Sequence, residues 1–261
     1  MARENGIKAA LRTRGAAYGS WAQMHAPEIC ELIARTGLDF VIVDMEHGSF
    51  GIEGAVSMIR AVEAGGSTPV VRVPDAAKST IMKVLDAGAL GVIVPNLDSA
   101  EMAREIVSYA RHAPAGVRGA CPCTRASGHG VQKWVEHVAW CEANVMIGGL
   151  VETPRGIAEF DGIIAVPGLD FVAMGPFDLS QALGLNGDWK HPQVRATQED
   201  LVRRAKAHGI EVMTATFDSD PAGLKRQTQE WTQLGARMFA VSGDRFMLAE
   251  GYGSIAAALR G

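Results

Sequence analysis

Short apolar runs rich in β-branched residues alternate along this chain with longer amphipathic segments, and the alternation repeats eight times. The runs occupy residues 17–21, 40–44, 69–73, 91–95, 145–151, 171–174, 211–216 and 238–241. Several are apolar at nearly every position, the mark of parallel strands covered on both faces. Helical spacing governs the stretches between them, at 28–35, 52–63, 78–85 and 99–111. Asp98 stands as a cap for the last of these, with Glu101 three residues on in a capping-box pattern. Asp220-Pro221 opens a further helix that directs Leu224, Trp231 and Leu234 inward and stops at Gly235. Eight such strand–helix units with no Pro-, Ser- or charge-rich linker predict one (β/α)8 TIM barrel spanning residues 1–261 as a single domain. A doubly wound open sheet is the runner-up. Ile7, Ala10 and Leu11 share a face, so residues 1–15 read as an N-terminal helical extension. The longest irregular region, 113–130, is expected to cover a site or reach a neighbouring molecule.

Composition narrows this picture without redirecting it. A length of 261 residues suits an eightfold barrel, and 48% hydrophobic residues supply a large core. The formal charge of −4, from 25 Lys and Arg against 29 Asp and Glu, offers no electrostatic basis for a nucleic-acid or acidic-membrane partner. No apolar run reaches the roughly 18 residues needed to span a bilayer, and the basic N-terminus lacks a secretory apolar centre. A cytoplasmic location is expected. Cys30, Cys121, Cys123 and Cys141 form no C-x-x-C pair and read as thiols in a reducing compartment.

In a β/α barrel the working groups sit at the carboxyl ends of the strands. Glu46 and His47 follow the second run, Arg72 closes the third, Glu152 follows the fifth and Asp178 follows the sixth. Glu152 ends an apolar stretch where a lone charge is costly. It needs a cation, and with Asp178 it has the hardness to hold Mg2+ or Mn2+. The competing reading pairs Glu152 with Arg155 and makes Asp178 a helix cap for 179–183. An imidazole such as that of His47 titrates near neutrality and suits proton transfer, with Asp86 a candidate orienting carboxylate. Arg72 can grip a carboxylate or keto oxygen, or it can close a salt bridge inside the barrel mouth. No dinucleotide, Walker, nucleophile-elbow or H-E-x-x-H motif is present, and no lysine lies in a strand for imine chemistry.

Six ordered fragments together resemble the HpcH/HpaI aldolase family, the metal-dependent class II pyruvate aldolases. They are Asp44-Met45-Glu46-His47, Pro69-Val70-Val71-Arg72, Leu85-Asp86-Ala87-Gly88-Ala89, Pro114-Ala115-Gly116-Val117-Arg118-Gly119, Val151-Glu152-Thr153 and Gly175-Pro176-Phe177-Asp178-Leu179-Ser180. The resemblance implies a barrel, often assembled as a hexamer (a trimer of dimers) with its last helix exchanged between subunits. It implies that Glu152 and Asp178 hold Mg2+, Mn2+ or Co2+, on which pyruvate chelates, and that Arg72 neutralises the enolate oxygen. His47 paired with Asp86 would move the proton. Trp21, Gly175 and Phe177 would line the substrate, and Arg125 would approach a neighbouring subunit's site. The implied reaction cleaves a 4-hydroxy-2-oxo acid reversibly to pyruvate and an aldehyde. A citrate-lyase-β-like acyl-CoA lyase or a decarboxylating enolate enzyme on the same barrel is the alternative, and a barrel kept only for binding or assembly is a third reading. Leu150 stands where many relatives carry Gln, and Phe177 where some have a small residue. Both changes bear on the acceptor aldehyde rather than on the enolate.

Overall fold

The computed structural model describes residues 4–218 and 220–261, so residues 1–3 of the expected N-terminal extension lie outside the described residues. Eight strands appear where the apolar runs predict them, with ends shifted by no more than a residue or two. They are β1 (Ala17–Ala22), β2 (Phe40–Asp44), β3 (Thr68–Arg72), β4 (Gly91–Val94), β5 (Met146–Leu150), β6 (Phe171–Met174), β7 (Glu211–Thr216) and β8 (Met238–Gly243). Each pairs in parallel with the next, and β8 pairs with β1, so the sheet closes on itself. Closure rules out the open doubly wound sheet. It also removes both sheet edges.

The helices are α1 (Gly6–Arg14), α2 (Pro27–Arg35), α3 (Ile52–Gly65), α4 (Lys78–Asp86), α5 (Ala100–Ala110) and α6 (Trp134–Asn144). They continue as α7 (Pro154–Ala158), α8 (Phe160–Ile164), α9 (Pro176–Ala182), α10 (Pro192–Ala207), α11 (Pro221–Leu234) and α12 (Asp244–Arg260). Alternate strand residues face opposite ways, which divides the core in two. Phe40, Ile42, Val70, Ile93, Phe171 and Met213 fill the barrel. Val41, Val43, Val71, Val92, Ile147 and Val172 meet the helices outside it.

Two end signals decide local boundaries. Asp220 caps α11 as expected, accepting from Ala222 N at 3.1 Å and Gly223 N at 2.9 Å. The cap of α5 is Ser99 and not Asp98: Ser99 Oγ accepts from Met102 N at 3.2 Å, while Asp98 accepts a hydrogen bond from Thr153 Oγ1. A capping oxygen has to reach the second or third helical N–H, and Asp98 stands one residue too early.

Asn5 seals the amino-terminal end of the barrel. Its side-chain amide donates to Leu90 O at 3.0 Å and Asn144 O at 2.7 Å, just ahead of β4 and β5, and its Oδ1 caps α1. The irregular region between α5 and α6, with one 3-10 turn at Gly128–Gly130, packs at this same end. Ala126 N donates to Asp86 O at 3.0 Å. That region therefore does not cover the mouth of its own barrel.

Among the described residues no helix is long and apolar enough to cross a membrane. The final helix α12 leaves Met247, Leu248, Tyr252, Ile255 and Leu259 exposed, and only Asp244 within it is buried.

Candidate active site

Strand parity assembles the site. Trp21, Asp44, Arg72 and Leu150 stand on the inward-facing phase of their strands at the top of the barrel interior, and Glu152, two residues beyond β5, continues that phase. Asp44 and Arg72 are direct register partners on β2 and β3. Arg72 Nε donates to Asp44 Oδ1 at 2.8 Å, and Nη2 meets Oδ2 to complete a two-point clamp. The Asp44 carboxylate is fully buried, and it also accepts from Gln23 Nε2 at 2.8 Å, Glu46 N at 3.1 Å and His47 N at 3.3 Å. Burial alone would raise the Asp44 pKa, but these donors, Arg72 foremost, outweigh it and hold the group below the usual carboxylate range. On Arg72 burial opposes the charge, and the Asp44 contacts again prevail and hold its pKa above the ordinary value.

The clamp fixes the guanidinium over the Trp21 ring, 4.6 Å from its centroid. The Trp21 Nε1 is itself buried without a hydrogen-bond partner. Glu46 Oε2 lies 3.0 Å from Arg72 Nη1 but lacks hydrogen-bond alignment. Burial raises the pKa of Glu46, only partly countered by Arg72 and His47.

Across the mouth, two further carboxylates converge. Glu152 is 6% exposed. A Cβ built on Gly175 would sit 2.9 Å from Glu152 Oε2 and 3.7 Å from Asp178 Oδ2, so glycine leaves the space between them clear. Asn96, whose φ of 51° turns its N–H inward, donates to Glu152 Oε1 at 3.3 Å. Burial, then the nearby charge of Asp178, pushes the Glu152 pKa up to about 7. Glu152 meets Asn96 and no ion pair with Arg155 forms among the described residues, and Gly175 rather than Asp178 takes the cap position of α9, with Asp178 in its first turn. Arg72 is committed to Asp44 and acts on Glu152 only from a distance, and no Lys or Arg among the described residues forms an ion pair with either carboxylate. A buried carboxylate held beside another acid fits a divalent cation with oxygen preference.

The remaining expected residues divide by end of the barrel. His47 stands exposed at the mouth after β2, and its carbonyl accepts from Arg245 Nη1 at 3.4 Å. Phe177 is 54% exposed at the rim, and Leu150 packs beneath Gly175. Asp86 does not meet His47 within the chain. It closes α4 at the opposite end and accepts from Arg118 Nη2 at 2.7 Å. Arg125 lies beside it, donating to Ala87 O at 3.0 Å and pairing with Glu63. The reason is topological: a helix that leaves the mouth after β3 must end at the other face. Sequence reasoning gave Asp44 and Gln23 no role. An aspartate ending an apolar strand opposite an arginine in register was the available signal.

Over residues 17–243 the chain matches the family described as HpcH/HpaI aldolase/citrate lyase. It is 36% identical over 257 residues to a 4-hydroxy-2-oxovalerate aldolase of Novosphingobium aromaticivorans, covering 95% of this chain and 92% of that protein. It is 32% identical over 246 residues to a hydroxypyruvate/pyruvate aldolase of Paraburkholderia phytofirmans, covering 92% of each. Among solved structures, an HpcH/HpaI aldolase/citrate lyase family protein from Burkholderia cenocepacia superposes with a TM-score of 0.88 at 30% identity, over 98% of this chain and 100% of the other.

Proposed function

The chain belongs to the HpcH/HpaI aldolase/citrate lyase family, and from that premise we propose that it is a divalent-metal aldolase cleaving a 4-hydroxy-2-oxo acid reversibly to pyruvate and an aldehyde. The observation that carries this reading is the pair Glu152 and Asp178 meeting over Gly175, opposite a guanidinium already neutralised by Asp44. Glu152 and Asp178 would hold Mg2+ or Mn2+, with Co2+ a further candidate. When bound, such an ion supplies Lewis-acid stabilisation of the charge that develops on the keto oxygen.

The chain's own groups do the rest. Arg72 is oriented before substrate arrives, and Nη1, whose contact with Glu46 is poorly aligned, is the donor open to the enolate oxygen. A preorganised donor of this kind costs no reorganisation during reaction. Trp21 covers one face of the guanidinium and keeps water from it. In the cleavage direction the His47 ring takes the proton of the 4-hydroxyl while the C3–C4 bond breaks and its electrons move toward the keto oxygen. In synthesis the same ring returns the proton to the new alkoxide. Phe177 and Leu150 bound the side on which the aldehyde arrives.

Asp86 and Arg125 act, on this reading, at a neighbouring copy's mouth. The hydrogen bonds of Arg125 to Ala87 O and of Ala126 to Asp86 O tie the two into one unit, so a surface that presents Arg125 also presents Asp86. The apolar side chains of α12 support the same assembly, a hexamer built as a trimer of dimers with α12 exchanged. We assign the enzyme to the cytoplasm, where the exposed thiols of Cys121 and Cys123 stay reduced.

The test is a screen of aldehydes with pyruvate under Mg2+, Mn2+ or Co2+, with and without EDTA. Product that forms with metal and vanishes with EDTA supports the assignment. Product undiminished by EDTA overturns it.

A further inference from the structure

The described residues contain one group of three close nitrogen and sulfur donors, and it lies far from the mouth. His112 follows α5, and His137 and Cys141 stand one turn apart on α6, whose i,i+4 spacing sets them on one face. Their ligand atoms all lie within 4.8 Å of one another. The Cys141 Sγ is 3.5 Å from His137 Nε2, and the two imidazole centroids are 5.8 Å apart. All three are buried, at 4%, 1% and 5% exposure.

Two features of this cluster bear on what it can hold. Both ring nitrogens of His112 are buried; the Arg118 backbone lies close enough to satisfy one of them, and the other has no hydrogen-bond partner among the described residues. An imidazole in that position forfeits a hydrogen bond it makes in water, a cost of about 1–3 kcal/mol. The second feature is the spacing. An ion about 2.1 Å from nitrogen and about 2.3 Å from sulfur holds those donors roughly 3.6 Å apart in a tetrahedron; Cys141 and His137 already stand at 3.5 Å, a distance their S–H···N hydrogen bond also gives, and all three donors lie within 4.8 Å.

We propose that His112, His137 and Cys141 form a second metal site, selective for a borderline-soft divalent ion of the zinc class over the hard ions that suit Glu152 and Asp178. Two imidazoles and a thiolate favour such an ion over magnesium. The Arg118 guanidinium lies close enough to act on all three side chains, and its pairing with Asp86 offsets the charge it would otherwise set against a bound dication. On coordination the thiol releases its proton to solvent and the sulfur becomes the anionic ligand. A cavity of about 870 Å³ bordered by Arg118, Trp140 and Cys141 reaches the sulfur from outside and can supply a water as fourth ligand. Arg118 also grips Asp86 at 2.7 Å. An ion here would therefore steady the surface that carries Asp86.

The test is titration of the purified full-length protein with Co2+ in the presence of excess Mg2+, followed by ultraviolet–visible absorption. A thiolate-to-cobalt charge-transfer band saturating at one ion per chain, and bleached by Zn2+, is the expected result. Oxygen ligands at the mouth give no such band. The exposed thiols are controlled with the double variant Cys121→Ser/Cys123→Ser, which keeps the band. Cys141→Ser and His137→Gln lose it, and Cys141→Ser retains aldolase turnover in Mg2+. A wild-type protein without the band overturns the site, as does a band that survives Cys141→Ser or disappears in the double variant.

Discussion

Replacing Arg72 with alanine removes two things at once: the proposed donor to the enolate oxygen and the counter-ion of a fully buried aspartate. Loss of one preorganised donor typically lowers kcat by on the order of 10²–10³, while stranding a buried charge costs about 3–5 kcal/mol of stability. Asp44→Asn in the Arg72→Ala background separates the effects. Thermal stability recovers in part and turnover does not, whereas recovery of both would assign Arg72 a structural role only.

Glu152 gives the pH dependence. Its pKa rises from 4.5 to about 7 in the folded, metal-free protein, so the neutral acid is the form that folding favours. Its stability contribution is complete below pH 4.5 and is lost as pH rises through about 7, amounting to about 3 kcal/mol. Melting the metal-free protein across this window should show the decline, and Glu152→Gln should flatten it. Cation affinity runs the other way, strengthening as pH climbs toward 7 because the ligand must be ionised. Gly175→Ala should weaken cation binding, because a methyl group 2.9 Å from Glu152 Oε2 forces that carboxylate to move. Calorimetry showing unchanged affinity would contradict the cradle.

At the scale of elements, the strands were legible because parallel strands covered on both sides are written as continuous apolar runs. The same parity places Asp44, Arg72 and Glu152 on the inner phase. The two helix caps show where legibility ends. Asp220 precedes a proline and has a single register, whereas Asp98 and Ser99 are adjacent oxygen-bearing candidates, and only the backbone decides between them. Ser99→Ala should cost about 1 kcal/mol, lowering Tm by roughly 2–4 °C in a chain of this size. Asp98→Ala should leave the α5 cap intact. Exchange of the Met102 amide proton should quicken in Ser99→Ala and not in Asp98→Ala, which loses the bond from Thr153 instead; equal quickening in the two variants would contradict the assignment.

For the whole molecule, the sequence placed groups at strand ends but could not say which end of a helix a residue would reach. His47 and Asp86 were paired on chemistry, and the fold sets them at opposite faces of the barrel because a helix must run back before the next strand begins. If Asp86 serves His47 as proposed, it does so from a neighbouring copy. Charge placed on the apolar side chains of α12, as in Leu248→Asp/Ile255→Asp, should yield a particle of 27.7 kDa by light scattering and reduce turnover with it. Full activity in the dissociated chain would remove any role for Asp86 and Arg125.

The central claim concerns the enolate half-reaction, which can be observed without knowing the aldehyde. Proton NMR of pyruvate in deuterium oxide follows loss of the methyl signal as the enzyme exchanges those protons with solvent. Exchange should require Mg2+ or Mn2+, stop with EDTA, resume when metal is restored, and remain absent in Glu152→Gln. Exchange that continues at the same rate after the metal is stripped would contradict the role given to Glu152 and Asp178.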